Sequence, residues 1–359
     1  MRPYTHISLG TQQALEWLWA HPAHLKLVPH AFSVAEAAGE QLHADLLKKS
    51  KQLRTSFLAR AMLLDAANTE LLAAMAEAGI KAIPMKGPVL AQRLYGGLHH
   101  RPFVDLDILV QPHQLDHARA LILDAGFQDV SRNPRQFHLE FSRTNRSGSH
   151  VYVELHRRLI GYAIGGDHLA FGIAGSKGFS EWCWERAAPA NDYWQMAEGD
   201  ELLYLCLHLA KHLITERKLA SSGLACSSLL LARDIQLALA QWNFDPNEFL
   251  ATVERFHLTV PVGMALAFTF RWFECESTTL HELASQLTSR QSARFLDWAD
   301  DIGTKSKKSE IQVNNRLRMV LEAFAMADRW SDKLKILPMV AGEYFNRKHS
   351  RPYGATRAR

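Results

Sequence analysis

The sequence predicts an α+β protein in which a small strand-rich unit lies between two helical regions. Apolar residues recur at helical spacing before about residue 78 and again beyond about residue 200. Between them, short apolar runs are separated by residues that favour turns. A hydrophobic content of 47% over 359 residues is enough to form a large core. We therefore expect two or three packed units.

We predict four segments along the chain. They are an N-terminal helical segment over 1–77, a strand-rich unit over 78–160, a larger helical domain over 161–345 and a basic tail over 346–359. In the strand-rich unit, strands are expected over Ile80–Met85, Val104–Val110, Gln136–Arg143 and His150–Arg157, and helices over Pro88–Tyr95 and His113–Ala125. Polar residues interrupt apolar runs there, so the chemistry is expected in this unit.

The charge balance gives little support for nucleic-acid binding by the chain as a whole. The 41 Lys and Arg residues stand against 37 Asp and Glu residues, a net charge of only +4. The excess concentrates at the end of the chain, in Arg347, Lys348, Arg351, Arg357 and Arg359. This tail is expected to be disordered, with contact to phosphate or RNA as the alternative.

Cysteine usage and hydropathy indicate a cytoplasmic protein without a membrane anchor. The four cysteines match neither a zinc pattern nor a dense disulfide framework, so we expect reduced, buried thiols. The first residues lack the pattern of a secretion signal. The longest apolar stretch, Leu258–Phe270, is shorter than the roughly 20 residues that cross a bilayer, so a buried helix is expected.

A pair of aspartates in the strand-rich unit is the most informative feature of the sequence. Residues two apart on a strand share a face, which makes Asp105 and Asp107 neighbours. Like charges on a buried face raise each other's pKa, and a divalent cation is the simplest compensation. The alternative is an exposed strand face or a helix cap. A second strand adds Glu154, with Tyr152 and His156 on the same face.

With these motifs the chain resembles the nucleotidyltransferase superfamily that includes DNA polymerase β and the aminoglycoside nucleotidyltransferases. It resembles more closely a bacterial branch of uncharacterised nucleotidyltransferases. That branch has a Lys-Gly turn, then Arg-Pro-x-x-Asp-Leu-Asp and a hydrophobic residue, then a strand that ends in an acidic residue, Leu and His. The matching positions are Lys86 and Gly87, Arg101–Leu109, and Glu154–His156.

The resemblance implies a polymerase β-like catalytic core over 78–160 and a nucleoside triphosphate, such as ATP, as substrate. It implies two Mg²⁺ ions, with Mn²⁺ as an alternative, held by Asp105, Asp107 and Glu154. Glu154 would act either as a ligand of the metal nearest the nucleophile or as the base that takes the proton of the nucleophile. Lys86, Gly87 and Arg101 would bind the nucleotide. One departure is Pro88, because relatives have Gly or Ser there and Pro supplies neither a hydroxyl nor an N–H.

Three further polar residues are candidates for nucleotide binding. His156 could touch the substrate or orient Glu154, with an ordinary surface role as the alternative. His208 lies four residues before His212 on one helix face, and Asp234 interrupts an apolar run. No Glu accompanies the two histidines in a His-Glu-x-x-His motif, so a zinc protease site is disfavoured. We interpret His208 and Asp234 as lining the nucleotide or acceptor site, with helix-packing hydrogen bonds as the alternative.

Three functions are consistent with these features. The first is transfer of a nucleoside monophosphate to a hydroxyl of a small molecule or a peptide. The second is modification of a tRNA end or a protein in a toxin-like system, which only the basic tail supports. The third is an inactive nucleotide-binding protein that keeps the fold, which Pro88 supports and the complete acidic set opposes.

Overall fold

The α+β class is confirmed by the fold. The structure is a computed structural model that describes residues 8–131, 138–145, 148–159, 175–219, 228–274 and 287. In these residues a small mixed sheet lies among helices. The helices are α1 (Gln12–Ala20), α2 (Val28–Ala37), α3 (Ala44–Glu77), α4 (Gly87–Tyr95), α5 (Leu115–Asp124), α6 (Gly175–Arg186), α7 (Glu198–Leu219), α8 (Ser228–Gln241), α9 (Pro246–Arg255) and α10 (Thr259–Trp272). Short 3₁₀ turns cover Pro22–Leu27 and Pro112–Gln114.

The sheet has five strands and is mixed. They are β1 (Ala82–Pro84), β2 (Leu106–Val110), β3 (Gln128–Asp129), β4 (His138–Thr144) and β5 (His150–His156), and their order across the sheet is β1-β2-β5-β4-β3. Strands β2 and β5 run parallel, and the other neighbours run antiparallel. A separate hairpin, β6 (Ala188–Ala190) and β7 (Tyr193–Gln195), packs its second strand against β1.

The two faces of the sheet have different surroundings. Leu106, Ile108 and Val110 on β2 are buried in a cluster with residues of α3 and α5. The alternating residues of β2 point away from that cluster, and Leu109 joins a second cluster that includes α7 and α8. Asp107 is on the same side of β2 as Leu109 because successive strand residues point to opposite faces. The Asp107 side chain, which is the one polar side chain of β2, therefore faces the α7 side.

The second cluster joins helices from both ends of the described chain. Buried residues of α1, α2 and the first turn of α3 pack there with residues of α7, α8 and α10, whereas α3 from Ala61 onward packs on the opposite face of the sheet. The apolar stretch Leu258–Phe270 forms most of α10 and is largely buried, as the sequence predicts. None of the helices in the described ranges is long and apolar enough to cross a membrane.

The expected strands and helices of the strand-rich unit are present, but β1 is shorter than Ile80–Met85, α5 begins at Leu115 rather than His113, and β3, β6 and β7 were not predicted. Strand β2 begins at Leu106 rather than Val104, so Asp105 immediately precedes the strand. The Val104 carbonyl accepts a hydrogen bond from the Arg60 guanidinium at 3.1 Å instead of one from a neighbouring strand. Cys183 and Cys206 are buried free thiols. Cys226, Cys275, the predicted helices after residue 274 and the basic tail lie outside the described residues.

Candidate active site

Asp107 and Glu154 lie side by side in the centre of the sheet. In the parallel pairing of β2 and β5, Asp107 is the register partner of Glu154. Partners in register project to the same face, so both carboxylates point toward α7. Asp107 is 6% exposed, and Glu154 is partly exposed. Two acidic side chains from different segments of the sequence therefore meet at one position.

Asp105 joins this pair from the residue before β2. Burial, the Asp107 charge and the Glu154 charge raise the pKa of the Asp105 carboxyl to about 6, and Lys86 offsets only part of the effect. The ionised form of Asp105 is therefore less favourable in the folded protein than in water. An additional cation beside the three carboxylates would relieve this repulsion.

Lys86 is placed beside Asp107 by the pairing of the first two strands. The Met85 amide donates to the Asp107 carbonyl at 3.0 Å, which brings the next residue to the acidic side chains. The Lys86 Nζ lies 3.0 Å from Asp107 Oδ2 and 3.1 Å from His208 Nε2. Burial alone would lower the pKa of Lys86, but the attraction of Asp107, Tyr204 and Asp105 together outweighs it and raises that pKa above its ordinary value. Lys86 is therefore a buried ammonium ion.

The turn after Lys86 needs its glycine. Gly87 has a φ of +63°, which is in the left-handed region that residues with a Cβ rarely adopt. A Cβ there would make an ordinary contact with the Asp105 carbonyl oxygen at 3.7 Å, so the backbone conformation and not a lack of space requires glycine. Pro88 follows in the first turn of α4, where its missing N–H breaks no helical hydrogen bond. The turn therefore directs the N-terminus of α4 toward the aspartates.

His156 connects the two central carboxylates. Its Nε2 lies 3.2 Å from Asp107 Oδ1 and 3.2 Å from Glu154 Oε2, and the residue is 4% exposed. Burial opposes a charge on this imidazole, but hydrogen bonds to both carboxylates raise its pKa. Burial would likewise raise the pKa of Asp107, and Lys86 and His156 instead hold it well below its usual range. The surface alternative for His156 is therefore wrong.

Helix α7 covers the carboxylates with a polar face. Tyr204, His208 and Lys211 are spaced four and three residues apart, so they lie on one side of the helix. Burial lowers the pKa of Lys211, and the charges of Glu154, Asp107 and Asp105 oppose that shift, which places its ammonium group in their field. Burial and the neighbouring Lys86 push the pKa of His208 well below its ordinary value, so this imidazole is neutral.

Arg101 and Asp234 are bonded to each other. The Arg101 Nε and Nη2 donate to the two Asp234 oxygens at 2.8 and 2.7 Å, and the Tyr95 hydroxyl donates to Asp234 Oδ1 at 2.7 Å. All three side chains are buried. Together they connect three parts of the chain, namely α4, α8 and the segment that precedes β2. The nucleotide-binding roles of Arg101 and Asp234 stay predictions, whereas Lys86, Asp107, Glu154, His156 and His208 form one connected set.

The sequence reasoning did not include three residues that belong to this set. They are Tyr204, Lys211 and His138. Tyr204 and Lys211 could have been found from the sequence, because their helical spacing places them on the same helix face as His208, a predicted nucleotide-binding residue. His138 could have been found from the predicted hairpin, because antiparallel pairing sets it opposite His156.

The residues present fit a hard divalent cation. Mg²⁺ prefers carboxylate oxygens, and three carboxylates from two neighbouring strands and the preceding loop supply them. The raised pKa of Asp105 means that the positive charges already there do not fully compensate the acidic group. Adjacent imidazoles add a cluster of His138, Glu154 and His156 that could also hold a metal ion.

A small mixed sheet that brings carboxylates together from neighbouring strands is the arrangement expected of a nucleotidyltransferase core. The model of a family described as uncharacterised nucleotidyltransferase matches residues 12–274, which is well over half of the chain. The chain therefore belongs to this family, and the resemblance found in its motifs is confirmed. Membership makes it a transferase of phosphorus-containing groups with a nucleotide substrate. Comparisons with curated proteins and with solved structures gave no match.

Proposed function

We propose that the protein is a Mg²⁺-dependent enzyme that transfers a nucleoside monophosphate from a nucleoside triphosphate, such as ATP, to an acceptor hydroxyl. The observation that carries this proposal is the meeting of Asp105, Asp107 and Glu154 beside the buried ammonium of Lys86. Ionised Asp105 is unfavourable beside the other two carboxylates and has no evident use in packing. Binding of a cation would give this carboxylate a use.

Asp105, Asp107 and Glu154 would hold two Mg²⁺ ions, for which Mn²⁺ could substitute. When bound, these ions would neutralise charge on the triphosphate and on the oxygens around the reacting phosphorus. The Asp107 oxygens now interact with Lys86 and His156, so both cationic groups would remain close to the bound nucleotide. Their positions support a site for a strongly anionic substrate.

Lys86 and Lys211 would both bind the triphosphate. Lys86 extends from the turn before α4, and Lys211 extends from α7 toward the carboxylates. Both would stabilise the charge that develops on the leaving pyrophosphate. The N-terminus of α4 also favours an anion, although Pro88 removes one of its amide donors. Loss of that donor makes the two lysines more important for phosphate binding.

Glu154 would accept the proton of the acceptor hydroxyl. The acceptor oxygen forms a bond to the α-phosphorus, the bond from this phosphorus to the bridging oxygen breaks, and pyrophosphate leaves. His156 bonds Glu154 Oε2 at 3.2 Å and fixes the direction of that carboxylate. The positioning of Glu154 by a buried partner supports its role as the general base.

A small molecule or a short peptide is the acceptor class that the surroundings favour. Two apolar residues at the edge of the carboxylate cluster are exposed, Val104 at 43% and Tyr152 at 46%. Tyr152 is two residues before Glu154 on the same face of β5, and Val104 precedes Asp105. An exposed aromatic ring and an apolar side chain beside the reacting groups provide a limited binding surface.

The test incubates the pure protein with each α-labelled nucleoside triphosphate, Mg²⁺ and fractions of a cell extract. We expect label in a small-molecule or peptide fraction, with one pyrophosphate released for each label and with loss of transfer after chelation. Asp105→Asn should be inactive, and Asp124→Asn, at an exposed position on α5, should be fully active. Absence of label and pyrophosphate with every nucleotide and with both Mg²⁺ and Mn²⁺ would overturn the proposal.

A further inference from the structure

The hairpin of β4 and β5 carries a second group of metal-binding side chains. Antiparallel pairing sets His138 opposite His156 and Glu140 opposite Glu154, so these four residues share one face. His138, Glu154 and His156 each offer one ligand atom, and the three atoms lie within 4.8 Å of one another. Two of the three ligands are imidazoles, which distinguishes this group from the aspartates.

The distances between these atoms suit a single small ion. Glu154 Oε2 is 3.2 Å from His156 Nε2 and 3.9 Å from His138 Nδ1. Two ligands at 2.0–2.2 Å from one tetrahedral zinc ion are about 3.3–3.6 Å apart. These two separations lie within a few tenths of an ångström of that range, and the two imidazole nitrogens lie within 4.8 Å of each other. A movement of His138 toward His156 would complete the ligand geometry.

Glu140 holds His138 in the orientation that metal binding requires. Its Oε1 lies 3.3 Å from His138 Nε2, which leaves Nδ1 directed toward Glu154. A histidine ligand commonly donates its other ring N–H to a carboxylate, which fixes the tautomer and the ring orientation. Asp107 Oδ1, 3.2 Å from His156 Nε2, is placed to act as a fourth ligand.

We propose that His138, Glu154 and His156 bind a divalent transition-metal ion of the zinc type, in a site that adjoins the hard-cation site of the aspartates and shares the Glu154 carboxylate with it. Imidazole nitrogen suits zinc and its neighbours in the first transition row, whereas Mg²⁺ prefers sites made of oxygen. The proposal goes beyond the proposed function and does not depend on nucleotide transfer. A site of this type would bind zinc-type ions in preference to Mg²⁺, which the aspartate pair alone would not do.

The experiment uses Co²⁺ as a spectroscopic probe of the full chain after removal of metals. Tetrahedral Co²⁺ bound by imidazole absorbs visible light strongly, so a titration gives both stoichiometry and affinity. We expect one Co²⁺ per chain that a large excess of Mg²⁺ does not displace and that one equivalent of Zn²⁺ does displace. A visible spectrum that Mg²⁺ abolishes would overturn the proposal.

Variants locate the ion. His138→Gln should weaken Co²⁺ binding by more than the roughly 10- to 100-fold that loss of an outer-shell partner costs, and Glu140→Gln should weaken it by about that amount. His117→Gln changes an exposed histidine on α5 and should bind Co²⁺ as the unmodified protein does. Circular dichroism checks the fold of each variant, and Glu140→Gln provides the test if His138→Gln does not fold.

Two outcomes separate this inference from the proposed function. Asp105→Asn should lose pyrophosphate release and keep the Co²⁺ spectrum, because Asp105 is not a ligand of this ion. Loss of the spectrum in Asp105→Asn, or its retention in both His138→Gln and Glu140→Gln, would place the ion at the aspartates and overturn the inference. A protein that binds Co²⁺ as expected and transfers no nucleotide would instead contradict only the proposed function.

Discussion

Asp105 and Asp107 are two residues apart and have opposite electrostatic surroundings. Each Asp107 oxygen has a partner, Lys86 on one and His156 on the other, and the pKa of this carboxyl is held well below its usual range. Asp105 has its pKa raised to about 6, first by burial and then by the charge of Asp107. Asp107 therefore contributes to folding, whereas ionised Asp105 opposes it.

We predict that the two amide variants differ in stability and agree in activity. Asp107→Asn should lower the free energy of unfolding by about 3–5 kcal/mol, because it leaves the buried Lys86 ammonium without its anion. Asp105→Asn should not lower it, since the change removes a repulsion. Neither variant should transfer nucleotide. Urea unfolding without added metal and pyrophosphate release measure the two effects.

Asp124→Asn is the matched control, because Asp124 is exposed on α5 and lies outside the site. Equal unfolding free energies for Asp107→Asn and the unmodified protein would contradict the buried ion pair. Full transfer activity in Asp105→Asn would contradict the catalytic assignment of that carboxylate.

Among the elements, α7 is the one that completes the site. Its Tyr204, His208 and Lys211 face strands that lie far from them in the sequence.

We predict that Lys211→Gln raises the KM for the nucleoside triphosphate by about 10- to 100-fold, because a charged hydrogen bond to phosphate is worth roughly 1.5–3 kcal/mol. Steady-state kinetics with varied nucleotide measures this change. Lys48→Gln, at an exposed position on α3, is the control and should leave KM unchanged. An unaltered KM in Lys211→Gln would show that Lys211 does not contact the phosphates of the nucleotide.

A buried network of three residues joins α4 and α8 to the segment before β2. Arg101 donates two hydrogen bonds to Asp234, and Tyr95 donates one. We predict graded losses in the free energy of unfolding, about 3–5 kcal/mol for Asp234→Ala and about 1.5–3 kcal/mol for Tyr95→Phe. The larger loss follows because Asp234→Ala leaves a buried guanidinium unpaired. Urea denaturation measures both changes, and equal losses would contradict this account.

Tyr95→Phe also tests whether this network acts on the nucleotide. The variant keeps the ion pair of Arg101 and Asp234 and removes only the Tyr95 hydrogen bond. If the network is structural, the KM for nucleotide in Tyr95→Phe should equal that of the unmodified protein at a temperature where both are folded. A rise in KM together with normal folding would support the predicted nucleotide-binding role.

At the scale of the whole molecule, a buried carboxyl makes stability depend on pH. Glu201 on α7 is 3% exposed and forms an ion pair with Arg93 on α4. Burial raises the pKa of Glu201 to about 7, although Arg93 opposes the shift. The folded protein therefore holds this proton at a pH where the unfolded chain has lost it. By linkage, the contribution of Glu201 to stability falls as pH rises from about 4.5 to about 7 and is constant above that range.

We predict that Glu201→Gln removes this fall. Relative to the variant, the unmodified protein should lose up to about 3 kcal/mol of unfolding free energy between about pH 5 and pH 8. Urea midpoints measured across that range give the difference, and groups that titrate in both proteins cancel. Parallel stability curves for the two proteins would show that Glu201 is ionised throughout.

The sequence by itself determined the class of fold and the order of its main parts, which are helices, a strand-rich unit and further helices. The Asp-x-Asp spacing, the Lys-Gly turn and the alternation along β5 are local features, and strand and helix geometry follows from local spacing. They were sufficient to indicate a nucleotidyltransferase, which the family match confirms. The first residue of β2 was misplaced because that boundary depends on the distant Arg60, and the hairpin of β6 and β7 was not predicted.

The tertiary structure alone decided which distant groups meet the carboxylates. Lys86 and His208 are separated by more than a hundred residues and lie 3.1 Å apart, and Arg101 and Asp234 bond each other rather than standing as separate candidates. The spacing of residues in the sequence carries no information about such pairs. The packing of α7 and α8 against the sheet decides which residues form them. The charge state of a buried group depends on those neighbours, and the final chemistry of the site is therefore a property of the packed molecule.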